Sequence, residues 1–141
     1  MYRLETDVFQ LELEPEVFED DIKYPENTIL HINVNSYGFS AKATMDIDVK
    51  ELAAFAKELL ELYHSLSGKA RLEEPYGKCN YIEFEAMSGG HIKVKGKIHD
   101  GRGGYSQELS FENEFDQTCL RGFVKELVSG VSQYDMENAD E

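Results

Sequence analysis

The sequence predicts an α+β fold in two layers, an antiparallel sheet of about six or seven strands with two helices on one face. Three observations predict it: apolar residues recur at every second position in segments from residue 8 to residue 112, two other segments repeat them at helical spacing, and short turns join successive strand segments.

The segment VFQLEL (8–13) alternates, with Phe9, Leu11 and Leu13 on one face, and predicts a short first strand that stops at Pro15. TILHINV (28–34) and FSAKATM (39–45) form a hairpin about NSYG (35–38), a register that sets Val34 against Phe39, Ile32 against Ala41 and Leu30 against Ala43. IDVKELAAFAKELLELYHSLSG (47–68) is the best-signalled helix. Asp48 is its capping residue, Ile47 and Leu52 take the staple positions, and Gly68 supplies the stop.

ARLEE (70–74) reads as a short strand before the turn PYGK (75–78). CNYIEFEAM (79–87) and HIKVKGKIH (91–99) alternate, and a loop at Met87-Ser88-Gly89 pairs Phe84 with Ile92 and Ile82 with Val94. After the turn DGRGG (100–104), YSQELSFE (105–112) returns with Leu109 and Phe111 inward. A second helix begins in EFDQTCLRGFVKEL (114–127), capped by Asp116, with an apolar stripe from Leu120 to Val131. At an offset of 68 residues Tyr37, Asp48, Leu52, Phe55, Lys57, Glu58 and Leu59 match Tyr105, Asp116, Leu120, Phe123, Lys125, Glu126 and Leu127, which supports two equivalent helix starts.

A chain of 141 residues fits one domain, here 1–131, with 132–141 an acidic tail expected to be disordered. Twenty-eight acidic residues against 14 basic ones give a net charge of −14, which disfavours nucleic acid and anionic membranes and favours basic partners. No apolar stretch reaches the length of a membrane span, and MYRLETDVFQ lacks the layout of a signal peptide, so a cytoplasmic location is expected. Cys79 and Cys119 have neither CxxC spacing nor the density of a disulfide scaffold and read as free thiols, although pairing between them stays open.

Little in the chain points to catalysis or to a cofactor. His31, His64, His91 and His99 fall on three elements without ligand spacing, so no metal is expected. DGRGG matches neither phosphate-binding glycine pattern, and no serine has a nucleophile-elbow setting. Lys93, Lys95 and Lys97 form one basic stripe. The expected registers set Glu83 against Lys93, Glu85 against His91, Glu108 against Lys97 and Glu112 against Lys93, so the stripe is neutralised across strands. The other sheet face, with Asn33, Lys42, Glu83 and Glu85 among its residues, is solvated or reserved for a partner.

The segment EPEVFEDDIKYPEN (14–27) reads as an acidic loop pinned by a few apolar side chains, and its joining of charge to Phe18, Ile22 and Tyr24 is either the composition of a surface that docks a basic protein or that of a solvated loop. Its candidate contact residues are Glu14, Glu16, Phe18, Glu19, Asp20, Asp21, Tyr24 and Glu26. Two other readings remain beside it: a small enzyme or ligand-binding protein using the sheet–helix cleft through His31, His64 or Cys119, and a homodimeric structural protein.

FSAKATMDIDVKELAAFAKELLEL, GGHIKVKGKI and ELSFENEFDQTCLRGFVKEL, in that order, resemble small bacterial immunity proteins of the WapI type over about residues 8–128. The resemblance implies a non-catalytic protein that binds and blocks a toxin domain made by the same cell. Many such toxins are nucleases and hence basic, which suits an acidic inhibitor.

Overall fold

A computed structural model describes residues 1–75, 80–101 and 104–135. Its elements run β1 (Tyr2–Glu5), β2 (Phe9–Val17), β3 (Thr28–Ser36), β4 (Phe39–Ile47), α1 (Val49–Ser65), β5 (Lys69–Glu73), β6 (Tyr81–Ala86), β7 (His91–Asp100), β8 (Gln107–Asp116) and α2 (Arg121–Val131). The strands form two antiparallel sheets, β1-β2-β3-β4 and β5-β6-β7-β8, in place of the expected single sheet of six or seven strands. The division falls at α1. Beyond it β5 pairs with β6 and not with β4, whose outer edge is met instead by side chains: Asp46 N donates to Glu74 Oε2 at 3.1 Å and Asn80 Nδ2 to the Thr44 carbonyl at 3.4 Å.

Each half therefore repeats one order, four meandering strands and a helix. The offset of 68 residues lays β4 on β8 and Asp48 on Asp116. The helices are exchanged between the halves: α1 follows the first sheet but packs on β5 and β6, while α2 follows the second sheet and packs on β1 and on α1. One core results. The Phe84 ring lies 6.1 Å from that of Phe55 on α1 and 6.3 Å from that of Phe123 on α2. The sheets meet directly where Phe9 stacks on Phe111 at 5.5 Å and Asn113 Nδ2 donates to Ser36 Oγ at 2.9 Å. Gly96 makes that joint possible, since a Cβ there would lie 2.6 Å from the Phe111 ring and 2.7 Å from the Tyr81 carbonyl oxygen.

The inward faces follow the expected alternation, but all three expected registers are shifted by two residues. Val34 faces Ala41 and Ile32 faces Ala43, because the turn is the pair Tyr37-Gly38, both at positive φ, and Phe39 is left 70% exposed. Phe84 faces Val94 across a four-residue connection, and Lys95 and Lys93 face Glu112 and Glu114. A shift of two leaves every side chain on its own face, so the alternation alone does not reveal it.

The first strand, Tyr2–Glu5, contributes one fully buried residue, Leu4, too little alternation to stand out. β2 continues through Pro15 to Val17. β1 stops opposite Leu13, so Pro15 lies on an open edge where its missing N–H costs no ladder bond.

Asp48 is the N-cap of α1, its carboxylate accepting from Lys50 N at 2.9 Å, and Leu66 in the left-handed region ends the helix two residues before the expected Gly68. Asp116 accepts from Thr118 N at 2.9 Å but caps a 3-10 turn, Gln117–Cys119, with α2 proper starting at Arg121. That hydrogen bond holds the Asp116 carboxyl below its ordinary value of 3.8. A further 3-10 turn, Ser132–Tyr134, follows α2. The expectations for the centres of PYGK and DGRGG, for Cys79 and for the end of the acidic tail fall on 76–79, 102–103 and 136–141, outside the described residues.

Candidate functional site

The acidic candidates are carried by two neighbouring parts of the first sheet. Glu14 and Glu16 belong to β2 and project from the outer face, while Phe18 to Glu26 form the connection at the end of the strand. Glu16 Oε1 lies 3.1 Å from His31 Nε2, and Glu12 pairs with Arg3 at 3.5 Å. Glu14, between them, has no charged partner among the described residues. Around it the outer face is hollowed into an open cavity of about 280 Å³ whose lining includes Met1, Glu12, Glu14, His31, Asn33 and Lys42.

The connection is built, and Asn27 builds it. Only 1% exposed, it donates from Nδ2 to the carbonyls of Ile22 and Tyr24 and to Asp48 Oδ1, while its Oδ1 accepts from Val49 N and Thr28 Oγ1. One side chain thus ties the loop to the start of α1. Glu19–Asp21 form a 3-10 turn, and Tyr134, beyond α2, donates its hydroxyl to Glu19 Oε1 at 2.6 Å. The carboxylate raises the Tyr134 pKa above 10.0 by holding the proton. Asp20 and Asp21 stay exposed, Phe18 and Tyr24 are 37% and 54% exposed, and Lys23 Nζ stands 5.4 Å from the centre of the Tyr24 ring. Glu26 adopts φ 63°, the left-handed turn that brings Asn27 under the loop.

The structure therefore joins Phe18, Glu19, Asp20, Asp21, Tyr24 and Glu26 in one anchored cap, with Glu14 and Glu16 leading from it along the sheet. Sequence reading missed Asn27, because its role depends on which backbone groups the ten-residue connection brings within reach. It also missed Glu12 and Met1 as neighbours of Glu14, although the alternation of β2 already places Glu12 on that face.

The basic stripe is answered from both sides. Lys93 Nζ lies 2.8 Å from Glu112, Lys95 3.4 Å from Glu83 and Lys97 3.5 Å from Glu108, while Arg71 also reaches Glu83 at 3.4 Å. The pairs Lys93–Glu112 and Lys97–Glu108 form as expected, but diagonally, because the register is two residues over. The hydrogen bond between Lys93 and Glu112 raises the pKa of the amine and lowers that of the carboxyl.

The residues of the enzymatic reading lie on separate elements. His31 is on β3, His64 is exposed near the end of α1, and Cys119 is a half-buried free thiol in the turn before α2. The cavity that includes His31 contains neither of the others. Among the described residues no group of three His, Cys, Asp or Glu side chains is placed to hold a metal ion, and no helix is long and apolar enough to cross a membrane.

The family model described as "Immunity protein WapI-like family" matches residues 3–135, nearly the whole chain. No curated protein and no solved structure matches it.

Proposed function

The chain belongs to the immunity protein WapI-like family, and from that membership we propose that it is a non-catalytic cytoplasmic inhibitor that binds a basic toxin domain and blocks it. The observation that carries the basic character of the partner is the placement of charge. Residues 5–26 hold nine carboxylates against Lys23 alone, and the fold gathers most of them on the outer face of the first sheet and the cap at its end. Such a surface steers a cationic partner and raises its association rate, an effect that salt screens. Phe18 and Tyr24, exposed among the carboxylates, supply the apolar contact that slows dissociation.

Catalysis of toxin hydrolysis or modification is not required for this role, and occupancy of the toxin by an anchored acidic surface suffices. The test is to mix the protein with the toxin domain encoded beside it and to measure binding at low and high salt. A complex whose association slows as salt rises, together with protection of cells on co-expression, is expected. Absence of both complex and protection would refute the proposal. Replacing Glu14, Asp20 and Asp21 together by lysine is expected to reduce the association rate by about tenfold or more at low salt while leaving the fold intact.

A further inference from the structure

Both sheets end on equivalent strands, β4 and β8, yet their outer edges differ. In β4 the backbone groups of alternate residues turn outward, and two of them are closed from the other half by Glu74 and Asn80. The same alternation can be carried across the second sheet. Ala86 N donates to Gly68 O on the β5 side and Met87 N to His91 O on the β7 side, so the odd-numbered residues of β6 bond to β7. By register, the even-numbered residues of β7 then bond to the odd-numbered residues of β8. The backbone N–H and C=O groups of Glu108, Ser110, Glu112 and Glu114 are left pointing to the free edge. None has a hydrogen-bond partner there among the described residues. The offset of 68 makes Glu112 and Glu114 the counterparts of Thr44 and Asp46, the two positions that are closed in β4.

We propose that the open edge of β8 accepts an added β-strand from the partner protein, one carrying lysine or arginine at alternate positions. The proposal rests on the reading of the chain as an inhibitor of a basic protein. An exposed edge is a template for strand addition, and the side chains beside it decide which strand is accepted. Glu108, Glu112, Glu114 and Asp116 project from one face of β8, all exposed. A second copy paired antiparallel about Glu112 would set Glu112 against Glu112 and Glu108 against Asp116, like charges directly opposite, which disfavours self-pairing. A basic strand meets the same row with opposite charge, sharing Glu112 and Glu108 with Lys93 and Lys97 of β7, at 2.8 and 3.5 Å, and Glu114 with His91, at 3.7 Å. At the start of the edge an open groove of about 290 Å³ between β4 and β8, with Ala41, Ala43, Ile98 and Leu109 in its wall and Glu108 among its lining, suits the stem and head of a long basic side chain from the strand's other face.

The test uses the full chain and the toxin domain encoded beside it. Ser110→Pro removes an edge N–H that faces water in the free protein, a position at which proline is tolerated, so its melting temperature is expected to match that of the parent. Its affinity for the toxin domain is expected to fall about tenfold or more. In the complex of the unaltered protein, hydrogen–deuterium exchange at the Ser110 and Glu112 amides is expected to slow. A complex in which those amides exchange as in the free protein and Ser110→Pro binds at parental affinity would overturn strand addition and leave the inhibitor reading standing. No complex would remove both. Sedimentation as a dimer that Ser110→Pro dissociates would assign the edge to a second copy and overturn the basic strand.

Discussion

The outer faces of the two sheets share one architecture and differ in how their charge is balanced. On the second sheet Lys69, Arg71, Lys93, Lys95 and Lys97 each lie within 4 Å of a carboxylate on a neighbouring strand, and Glu83, nearly buried, lies between Arg71 and Lys95. On the first sheet Glu12 and Glu16 have partners, Glu14 has none among the described residues, and the cap at the strand ends adds further carboxylates with Lys23 alone beside them. The second face pairs each of these cations internally and keeps its surplus carboxylates along the β8 edge, whereas the first, among the described residues, leaves a carboxylate unpaired in mid-face. Duplicated topology therefore says little about where a partner binds, whereas the pairing of charges across strands says a good deal.

The joint that the two faces share is the most sensitive point. Gly96→Ala puts a methyl group against the Phe111 ring and the Tyr81 carbonyl, and because the backbone cannot yield as a flexible side chain would, a loss of about 3 kcal/mol is expected in chemical denaturation. Asn27 comes next. It has no counterpart in the second half, where the offset places Lys95, and Asn27→Ala is expected to cost about 2–3 kcal/mol by leaving buried backbone groups unpaired. Hydrogen exchange should show residues 18–26 loosening in that variant while the second sheet keeps its protection.

The two equivalent aspartates sharpen the comparison further. Asp48→Ala is expected to cost about 1 kcal/mol, since Asp48 caps α1 and also accepts from Asn27. Asp116→Ala is expected to lower the melting temperature by less, because Asp116 caps a single 3-10 turn. Asp116 also gives a test against pH. Its folded pKa lies below its ordinary 3.8, so its contribution is present above that value and is lost as pH falls through the folded pKa. Asp116→Asn is therefore expected to flatten the acid limb of the stability profile below about pH 4. The smallest effect belongs to Lys93→Gln, which makes the second face more like the first. Its pair with Glu112 is exposed, and the melting temperature is expected to stay within about 1 °C of the parent.

The five residues of β5 are too few to declare a face, but both helices, and the inward faces of β2, β3, β4, β6, β7 and β8, are legible in the sequence because each depends on a local period. Register is not, as the hairpin β3–β4 shows: NSYG and Tyr37-Gly38 leave the same residues inward and differ only in which pairs face each other. The division into two sheets is also hidden from alternation, and the similarity at 68 residues, which spans only the last strand, the capping aspartate and the helix of each half, supports two equivalent helix starts without revealing it. Of the candidate site, the carboxylates are legible by composition. Their anchorage is not, because Asn27 and Tyr134 act through partners that only the folded chain brings near.

The exchange of helices between the halves bears on how the chain comes apart. α1 packs on the second sheet, and α2 reaches β1 of the first as well as Phe84 of the second, so the two halves share one core that neither completes alone. Thermal unfolding is accordingly expected as one transition, with no stage at which a single half persists. A chain cut at Ser67-Gly68 would yield two fragments, each unstructured by itself, that recover native structure when mixed.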